Sequence, residues 1–223
     1  MDHVKIHKVV RSRRRTIALV VGSDATLTVR APMQTPMEYI EDLVRRKLHW
    51  IKNKIAEVKA RPPASRKRFE SGESFLYLGD PYRLRIVSNA EVPLTFKREF
   101  ILAREYRGKA RKLFVNWYKQ EARRKITDRV EWQARRFGLT VGPVRITDAQ
   151  KRWGSCSRNN SLNFSWRLIM APLRVVDYVV IHELAHTVER SHSRDFWRKV
   201  AMMCTTHRSG MEWLKENAHL LQI

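Results

Sequence analysis

The sequence predicts an α+β protein, in which strands and helices occupy separate stretches of the chain. Residues 1–32 and 74–87 contain short runs that alternate apolar and polar side chains, which is typical of half-buried strands. Residues 35–60 and 107–137 carry apolar residues three or four positions apart, as amphipathic helices do. No internal repeat interrupts this order of β-rich, helical, β-rich and again helical segments.

Length and composition indicate a folded globular protein. A chain of 223 residues suits one domain, and a hydrophobic fraction of 43% argues against global disorder. The apolar runs are far shorter than the roughly 20 residues that a membrane span needs. The N-terminal 15 residues lack the apolar stretch of a secretory signal, so none is expected. Cys156 and Cys204 could pair, but two cysteines do not make a disulfide framework, and we expect a cytoplasmic protein.

The net charge of +23, from 45 basic and 22 acidic side chains, is the unusual feature of the composition. Such a charge attracts polyanions, including DNA, RNA and nucleotides. Most basic residues are spread along the chain as a solvated surface would have them, and only residues 11–15, 61–68 and 135–138 are clustered. No zinc knuckle, helix-turn-helix or RNA-binding sheet motif is evident. The charge is therefore compatible with a polyanion partner and predicts no sequence-specific recognition.

In the first part of the chain, Pro32 ends a β-rich opening and a helix follows. Thr35 is expected to cap this helix, with Pro36 in its first turn and Glu38 three residues after the cap. The helical stripe then continues to about Ala60. Strands are expected at residues 4–6, 16–21 and 27–29, and the proline-containing segment 61–65 should connect to the next section.

The second part begins with a hairpin whose strands, residues 74–79 and 82–87, flank the turn Gly-Asp-Pro. A long helix is predicted over residues 107–137. Two strands, residues 144–147 and 161–166, should surround a loop at 151–160. Pro172 precedes a helix that begins near Leu173, a further helix is expected over residues 193–203, and residues 210–222 close the chain. We expect one domain over residues 1–223, with a β-rich part containing one helix (1–100) and a core (101–223).

The segment HELAHTVERSH, residues 182–192, has the composition of a metal site. His182 and His186 are four residues apart, so on a helix they lie on one face, about 40° apart. Glu183 lies about 100° from His182, which suits a general base beside the ligands better than a further ligand. The surrounding residues are apolar, and two histidines and a glutamate in such surroundings need polar partners.

Two residues could supply a third ligand. His192 reaches the ion if the helix ends near residue 189 and the chain turns back, with Ser193 capping the next helix. Glu189 lies seven residues from His182, on the same face, if the helix continues. We favour His192, with Glu189 then outside the ligand set. Three protein ligands and one open position are typical of a catalytic zinc site.

The sequence resembles the YgjP-like metallopeptidase-domain family, which is related to the SprT-like and minigluzincin zinc peptidases. The resemblance rests on KRWGSCS, LNFSWRL, Pro172, VDYVVIHELAH, HS and FW, in this order and spacing over about residues 150–200. The sequence departs from the family's usual pattern at Ser165 and Ser191, and at residues 204–210, where His207 lies near an expected tyrosine. None of these differences touches the histidines or Glu183.

The resemblance implies a zincin-like core with an HExxH active-site helix and a small antiparallel sheet. It implies Zn²⁺ bound by His182, His186 and His192, and Glu183 as the general base of a hydrolase. A metallopeptidase with a peptide substrate is the favoured function. Two alternatives remain: a metal-dependent nucleotide (UTP) pyrophosphatase, because some family members carry that assignment, and a basic nucleic-acid-associated protein with a regulatory metal site. A DNA-associated protease would combine the first and the last.

Further residues near the motif have open roles. Trp153 and Gly154 either border the cleft, where a substrate strand could pair, or belong to the core and a turn. Cys156 is either a buried structural cysteine or a fourth, inhibitory ligand. A phosphate-bearing substrate could be bound by Arg152, Arg158 and Arg167. A carboxylate could orient a ligand imidazole, and the candidates are Asp177, Glu189 and Asp195.

Overall fold

The computed structural model describes residues 4–22, 24–60 and 67–223 and confirms the α+β class. The chain divides into two compact units, residues 1–64 and 65–223. The sequence prediction placed its boundary near residue 100 instead. The boundary lies earlier because the strands between residues 74 and 103 pack on the long helix of the second unit. The predicted connector at 61–65 lies outside the described residues.

The first unit contains a three-stranded sheet. Its strands are β1 (Ile6–Ser12), β2 (Ala18–Val21) and β3 (Leu27–Pro32), in the order β1-β3-β2. β3 lies in the centre, parallel to β1 and antiparallel to β2, so its alternate residues are fully buried. Leu27, Val29 and Ala31 form the core of this unit with Ile40, Val44 and Ile51 of the helical segment.

The helical segment of the first unit is interrupted, so the predicted single helix is wrong. It forms α1 (Met37–Arg46) and α2 (Leu48–Ala60), separated at Lys47. The predicted Thr35 cap is also wrong, since Pro36 occupies the N-cap position and no side chain caps the helix. Arg11 of β1 donates a hydrogen bond to the Thr35 carbonyl oxygen (2.6 Å), which ties the segment before the helix to β1.

The second unit begins with a four-stranded mixed sheet in the order β4-β5-β7-β6. The predicted hairpin is confirmed as β4 paired with β5, although its two-residue turn is Leu78–Gly79, with positive φ at both residues. A hydrogen bond from Gly79 N to Met170 O (3.0 Å) fixes the turn on the segment before the histidine helix. The strands are β4 (Ser74–Tyr77), β5 (Asp80–Val87), β6 (Leu94–Phe96) and β7 (Phe100–Ala103).

The long helix is confirmed as α3 (Ala110–Arg136), preceded by a 3₁₀ turn, Arg104–Lys109. Its buried face packs aromatic rings against the four-stranded sheet, for example Phe114 on Phe75 with ring centroids 4.2 Å apart. Its other end reaches the histidine helix, because Arg129 forms a two-pronged ion pair with Asp177 (2.5 and 2.9 Å). The histidine helix is thus held against a long, rigid neighbour.

The third sheet lies next to the histidine helix. It contains β8 (Val144–Thr147), β9 (Gly154–Cys156) and β10 (Leu162–Ser165), in the order β8-β10-β9. The expected small antiparallel sheet is corrected here, because β8 runs parallel to β10 while β9 is antiparallel to it. The predicted loop at 151–160 is also corrected, since it contains β9.

Three helices complete the second unit. After a 3₁₀ segment, Trp166–Met170, they are α4 (Leu173–Ala185), α5 (Arg194–Met203) and α6 (His207–Asn217), and a 3₁₀ turn, Ala218–Leu220, follows. The core of the unit has α4 at its centre, in contact with α3, α5, α6 and β9. Within the described parts of the chain, no helix is both long and apolar enough to cross a membrane.

Candidate metal centre

The helix that carries the histidine pair is α4, as predicted. Pro172 precedes its first turn with an extended ψ of 146°, and its carbonyl oxygen accepts the first helical hydrogen bonds from Val175 and Val176. Most of the helix is buried, which explains the nearly continuous apolar sequence before His182. A helix buried on most sides is a rigid support, so the direction of His182 and Glu183 is fixed by the core.

The helix ends at Ala185, with His186 as its C-cap, and the next residues turn tightly. Thr187 N donates to Leu184 O (2.9 Å) and Glu189 N donates to Ala185 O (2.9 Å). The Glu189 carbonyl oxygen lies 3.0 Å from His186 Nδ1. This contact assigns the proton to Nδ1 and leaves Nε2 of a neutral His186 ring with a free lone pair.

The chain then returns, and His192 lies beside the pair. Its Nε2 is 3.0 Å from Nε2 of His182. Ser193 caps α5 by accepting a hydrogen bond from Phe196 N (3.2 Å), which confirms the predicted cap. One potential ligand atom from each of His182, His186 and His192 lies within 4.8 Å of the others, so the three residues could hold a metal ion.

Phe196, the third residue of α5, packs against all three imidazoles. Its ring is fully buried and stacks on His186 with centroids 4.4 Å apart and an angle of 26° between the planes. It meets His182 and His192 edge to face, at 5.0 and 4.7 Å. One aromatic side chain therefore limits the rotation of every histidine in the group.

The pKa values of His182 and His186 favour the neutral form of both rings. Burial, together with the nearby His186 and His192, lowers the pKa of His182 to about 4. Burial also lowers the pKa of His186. Neutral imidazoles, which have a lone pair to donate, are the form that binds metals. The donor set of three nitrogens is one that Zn²⁺ accepts.

Glu183 lies in the core next to this group and is 5% exposed. Burial raises its pKa to about 7, an effect that the charge of Arg152 partly offsets. Gly154 of β9 passes directly over its side chain, since a β-carbon at residue 154 would lie 2.5 Å from Glu183 Oε1. The absence of a side chain at Gly154 is thus what leaves space for the carboxylate.

A cavity of about 220 Å³ opens beside His182 and Glu183. Its other walls are mainly apolar and come from β9 and the residue before it, from α4 and from α6: Trp153, Gly154, Tyr178, Val179 and Leu214. Gly210 allows α6 to approach α4, because a β-carbon there would lie 2.8 Å from Tyr178 Cβ. The open role of Trp153 and Gly154 is answered in part: both border the cavity.

Along the cavity, β9 is an edge strand. Its pairing with β10 uses Trp153, Ser155 and Ser157, as shown by the bonds from Ser165 N to Trp153 O and from Ser157 N to Ser161 O (both 2.9 Å). In an antiparallel pair, the residues between these positions direct their backbone groups away from the partner strand. Gly154 and Cys156 therefore present N–H and C=O groups at the free edge.

The carboxylates predicted to orient an imidazole have other partners. Asp177 pairs with Arg129, Asp195 pairs with Arg198, and the Glu189 carboxylate accepts hydrogen bonds from Ser191 N (3.1 Å) and Oγ (2.8 Å). It is the backbone carbonyl of Glu189 that contacts a histidine. The alternative of Glu189 as third ligand is not favoured by this arrangement.

The three arginines proposed for phosphate binding are separated. Arg167 pairs with Asp148 (2.7 Å) and lies over the Trp166 ring, whereas Arg158 is exposed in the turn between β9 and β10. Arg152 is exposed next to Trp153, and its charge acts on Glu183. Of the three, only Arg152 is close enough to the cavity to influence it.

The remaining candidates lie outside the histidine group. Cys156 and Cys204 are free thiols. Burial raises the pKa of the Cys156 thiol, and its Sγ accepts a hydrogen bond from Arg190 (3.3 Å). His207 begins α6, where its Nδ1 lies 3.0 Å from Cys204 O.

Sequence reasoning missed two residues of the site, Phe196 and Arg190. Phe196 belongs to the Phe-Trp pair of the family pattern, but nothing in its spacing assigns it to the histidines. Arg190 was one of many arginines, and its contacts with the β9–β10 turn depend on the fold. Neither could be identified before the positions of α5 and the turn were known.

Among the comparisons with known proteins, a family model gives a match. The comparison with curated proteins and that with solved structures each gave no match. The family model described as YgjP-like, metallopeptidase domain, matches residues 15–217, which is nearly the whole chain. This chain, with its three converging histidines beside a buried glutamate, belongs to the YgjP-like metallopeptidase-domain family.

Proposed function

We propose that this protein is a zinc-dependent peptidase with a zincin-like core, in which His182, His186 and His192 bind Zn²⁺ and Glu183 is the general base. The observation that carries the proposal is the meeting of three imidazole nitrogens within 4.8 Å, next to a buried carboxylate. The family match supports a metal-dependent peptidase in general terms.

The choice of zinc rests on the donor set. Three neutral histidine nitrogens with an open fourth position are typical of catalytic zinc. When bound, the ion supplies a Lewis acid that polarises the substrate carbonyl and makes water more acidic. Burial keeps His182 and His186 neutral, the Glu189 carbonyl orients His186, and the Phe196 ring packs against all three imidazoles.

Glu183 supplies the proton transfer. A carboxyl group whose pKa is about 7 takes a proton from water and returns it to a leaving nitrogen near neutral pH. The close passage of Gly154 fixes the Glu183 carboxylate at the edge of the cavity. The same carboxylate can therefore serve both halves of a hydrolysis.

A peptide substrate fits the free edge of β9. An extended peptide adds to an exposed strand through backbone hydrogen bonds, and here the available groups are those of Gly154 and Cys156. This pairing would place the peptide along the cavity, beside Glu183. The apolar walls of the cavity, including Val179 and Leu214, suit an apolar side chain next to the bond that is cleaved.

A nucleotide (UTP) pyrophosphatase is less well supported by the cleft. A substrate with several phosphates needs several cationic groups, and of the three candidate arginines only Arg152 acts on the site. The net charge of +23 still favours a polyanion partner such as DNA elsewhere on the surface. A regulatory metal site on a nucleic-acid-associated protein remains the third function to test.

The experiment compares the zinc-loaded protein with its Glu183→Gln variant on casein and, separately, on UTP. We expect one zinc ion per chain in both proteins, peptide release by the wild type and its loss in the variant. A matched control is Glu131→Gln, the same change at an exposed position of α3, which should keep full activity.

Pyrophosphate release from UTP would support the second function. Neither product, with salt-sensitive DNA binding, would support the third. Full peptidase activity in Glu183→Gln would refute the role of Glu183.

A further inference from the structure

The side chain of Arg190 anchors the turn between α4 and α5. Its guanidinium reaches the turn that joins β9 to β10 and donates from both terminal nitrogens. Nη1 donates to Ser157 O (2.8 Å) and Cys156 Sγ (3.3 Å), while Nη2 donates to Arg158 O (3.1 Å) and to Asn160 Oδ1. Four acceptors for one side chain are unusual in a residue that is itself exposed.

The β9–β10 turn is a fixed partner for this guanidinium. Asn160 has a left-handed backbone (φ 58°), and Ser161 N donates a hydrogen bond to Ser157 Oγ (3.0 Å). Gly142 N donates to Asn160 O (2.9 Å), and a β-carbon at Gly142 would lie 2.9 Å from Asn159 O. The turn is thus shaped by its own bonds and by close packing, so Arg190 binds to acceptors that are already in place.

The segment that Arg190 anchors contains two features of the histidine group. Glu189, one residue before it, supplies the carbonyl that contacts His186 Nδ1. His192, two residues after it, is exposed and belongs to no helix or strand. His186 is held independently by the end of α4 and by stacking on Phe196. The His192 ring also packs on Phe196 (4.7 Å), but its backbone belongs to the turn itself, so its position depends most on the position of the turn.

We propose that Arg190 is a positioning residue: by fixing the α4–α5 turn on the β9–β10 turn, it holds His192 where its ring meets His182 and His186. The inference rests on the proposed metal site. It also means that the strand with the substrate-binding edge and the turn with the third ligand are joined by one side chain. Without it, the turn would have to be ordered when the metal binds, and that ordering would weaken affinity.

The planar fork of arginine is needed for this contact. It presents five N–H donors in fixed directions, so two nitrogens can serve four acceptors at once. A lysine ammonium keeps the charge but is a single donor centre at the end of a flexible chain. Arg190→Lys should therefore fail to replace arginine, although it leaves the net charge unchanged.

The test measures Zn²⁺ affinity by competition with a chromogenic chelator, and the folded state of each metal-free variant by circular dichroism. We expect Arg190→Ala and Arg190→Lys to bind Zn²⁺ about 10-fold to 100-fold more weakly, the range typical of residues that orient metal ligands. The matched control is Arg174→Ala, an exposed arginine on α4, which should bind as the wild type does.

A double-mutant cycle tests whether Arg190 acts on Zn²⁺ binding through His192. In a His192→Ala background, adding Arg190→Ala should change the affinity by no more than about twofold, because the ligand on which Arg190 acts is gone. An equal loss in both backgrounds would overturn the inference, as would wild-type affinity in Arg190→Lys. If the wild type itself bound no stoichiometric zinc, the proposed function would fail instead, so the two failures are distinguishable.

Discussion

Gly154 lies so close to Glu183 that a β-carbon at residue 154 would be 2.5 Å from Glu183 Oε1 and 2.6 Å from its Cγ. The edge strand and the proposed base are therefore in direct contact, and the smallest side chain would disturb both. Because Glu183 is buried at the edge of the cavity, its carboxylate would have to shift within the cavity to relieve the overlap.

The first prediction is that Gly154→Ala displaces the Glu183 carboxylate and lowers kcat by about 100-fold, the effect of misplacing a catalytic group by about 1 Å. Zinc content should stay at the wild-type level, since residue 154 is not in the histidine group. Steady-state peptidase assays and metal analysis would measure the two quantities. The control is Gly108→Ala, where no atom lies within 4 Å of the added β-carbon. Equal activity in Gly154→Ala and wild type would show that the contact is without consequence.

The second prediction concerns Phe196, whose ring contacts all three histidines. Phe196→Leu should weaken Zn²⁺ binding, because the rings lose the surface that limits their rotation. It should also lower the free energy of unfolding, by less than the roughly 3–5 kcal/mol that a change from Phe to Ala costs in a core. Chelator competition and urea unfolding measure the two effects.

A suitable control for Phe196 is Phe114→Leu in α3, where the ring is equally buried but packs against other aromatic side chains. This variant should lose similar stability and keep the Zn²⁺ affinity of the wild type. If both variants weakened metal binding to the same degree, the effect would come from general loosening of the core and not from Phe196 itself.

The histidine helix, its start and the start of the next helix could be predicted from the sequence because their causes are local. Pro172 starts α4, the apolar sequence before His182 indicates burial, and Ser193 has a side chain that caps a helix. The spacing of His182 and His186 follows from helix geometry alone. Only a short turn separates His192 from the helix, so its approach to His182 and His186 could also be predicted.

Features that depend on distant parts of the chain could not be predicted in this way. β9 has only three residues, Gly154–Cys156, and becomes a strand through pairing with β10. The parallel pairing of β8 with β10 likewise has no local signal. The contacts of Arg190 and Phe196 belong to the same class, since each joins elements that meet only in the folded protein.

The third prediction separates support of the helix from support of the metal. Asp177 lies on α4, but its carboxylate pairs with Arg129 of α3 and not with a histidine. Asp177→Asn should therefore lower the free energy of unfolding by about 1.5–3 kcal/mol, the range for hydrogen bonds to charged groups. Zn²⁺ affinity should not change.

Asp195→Asn is the matched control for Asp177. Its ion pair with Arg198 is largely exposed, with side-chain exposures of 61% and 71%, and such pairs contribute about 0–1 kcal/mol. Unfolding in urea and chelator competition on both variants provide the comparison. A loss of zinc binding in Asp177→Asn alone would show that this carboxylate acts on the metal site after all.

The fourth prediction is a dependence of stability on pH that comes from Asp148. Hydrogen bonds from Trp166 Nε1 (2.6 Å) and Arg167 Nη1 (2.7 Å) lower the pKa of its carboxyl group below the usual value of 3.8. Because the pKa is lower in the folded state, the stabilisation is present above about pH 4 and is lost as the pH falls through the folded value. The Asp148 side chain is 61% exposed, so solvent screening keeps the contribution below about 1 kcal/mol.

Asp148→Asn keeps an oxygen that can accept from Trp166 but has no charge. Urea unfolding of both proteins from pH 7 to pH 2.5 should show a difference in free energy that shrinks at the acidic end. A difference that stayed constant over this range would show that the ionised carboxylate adds nothing beyond its shape.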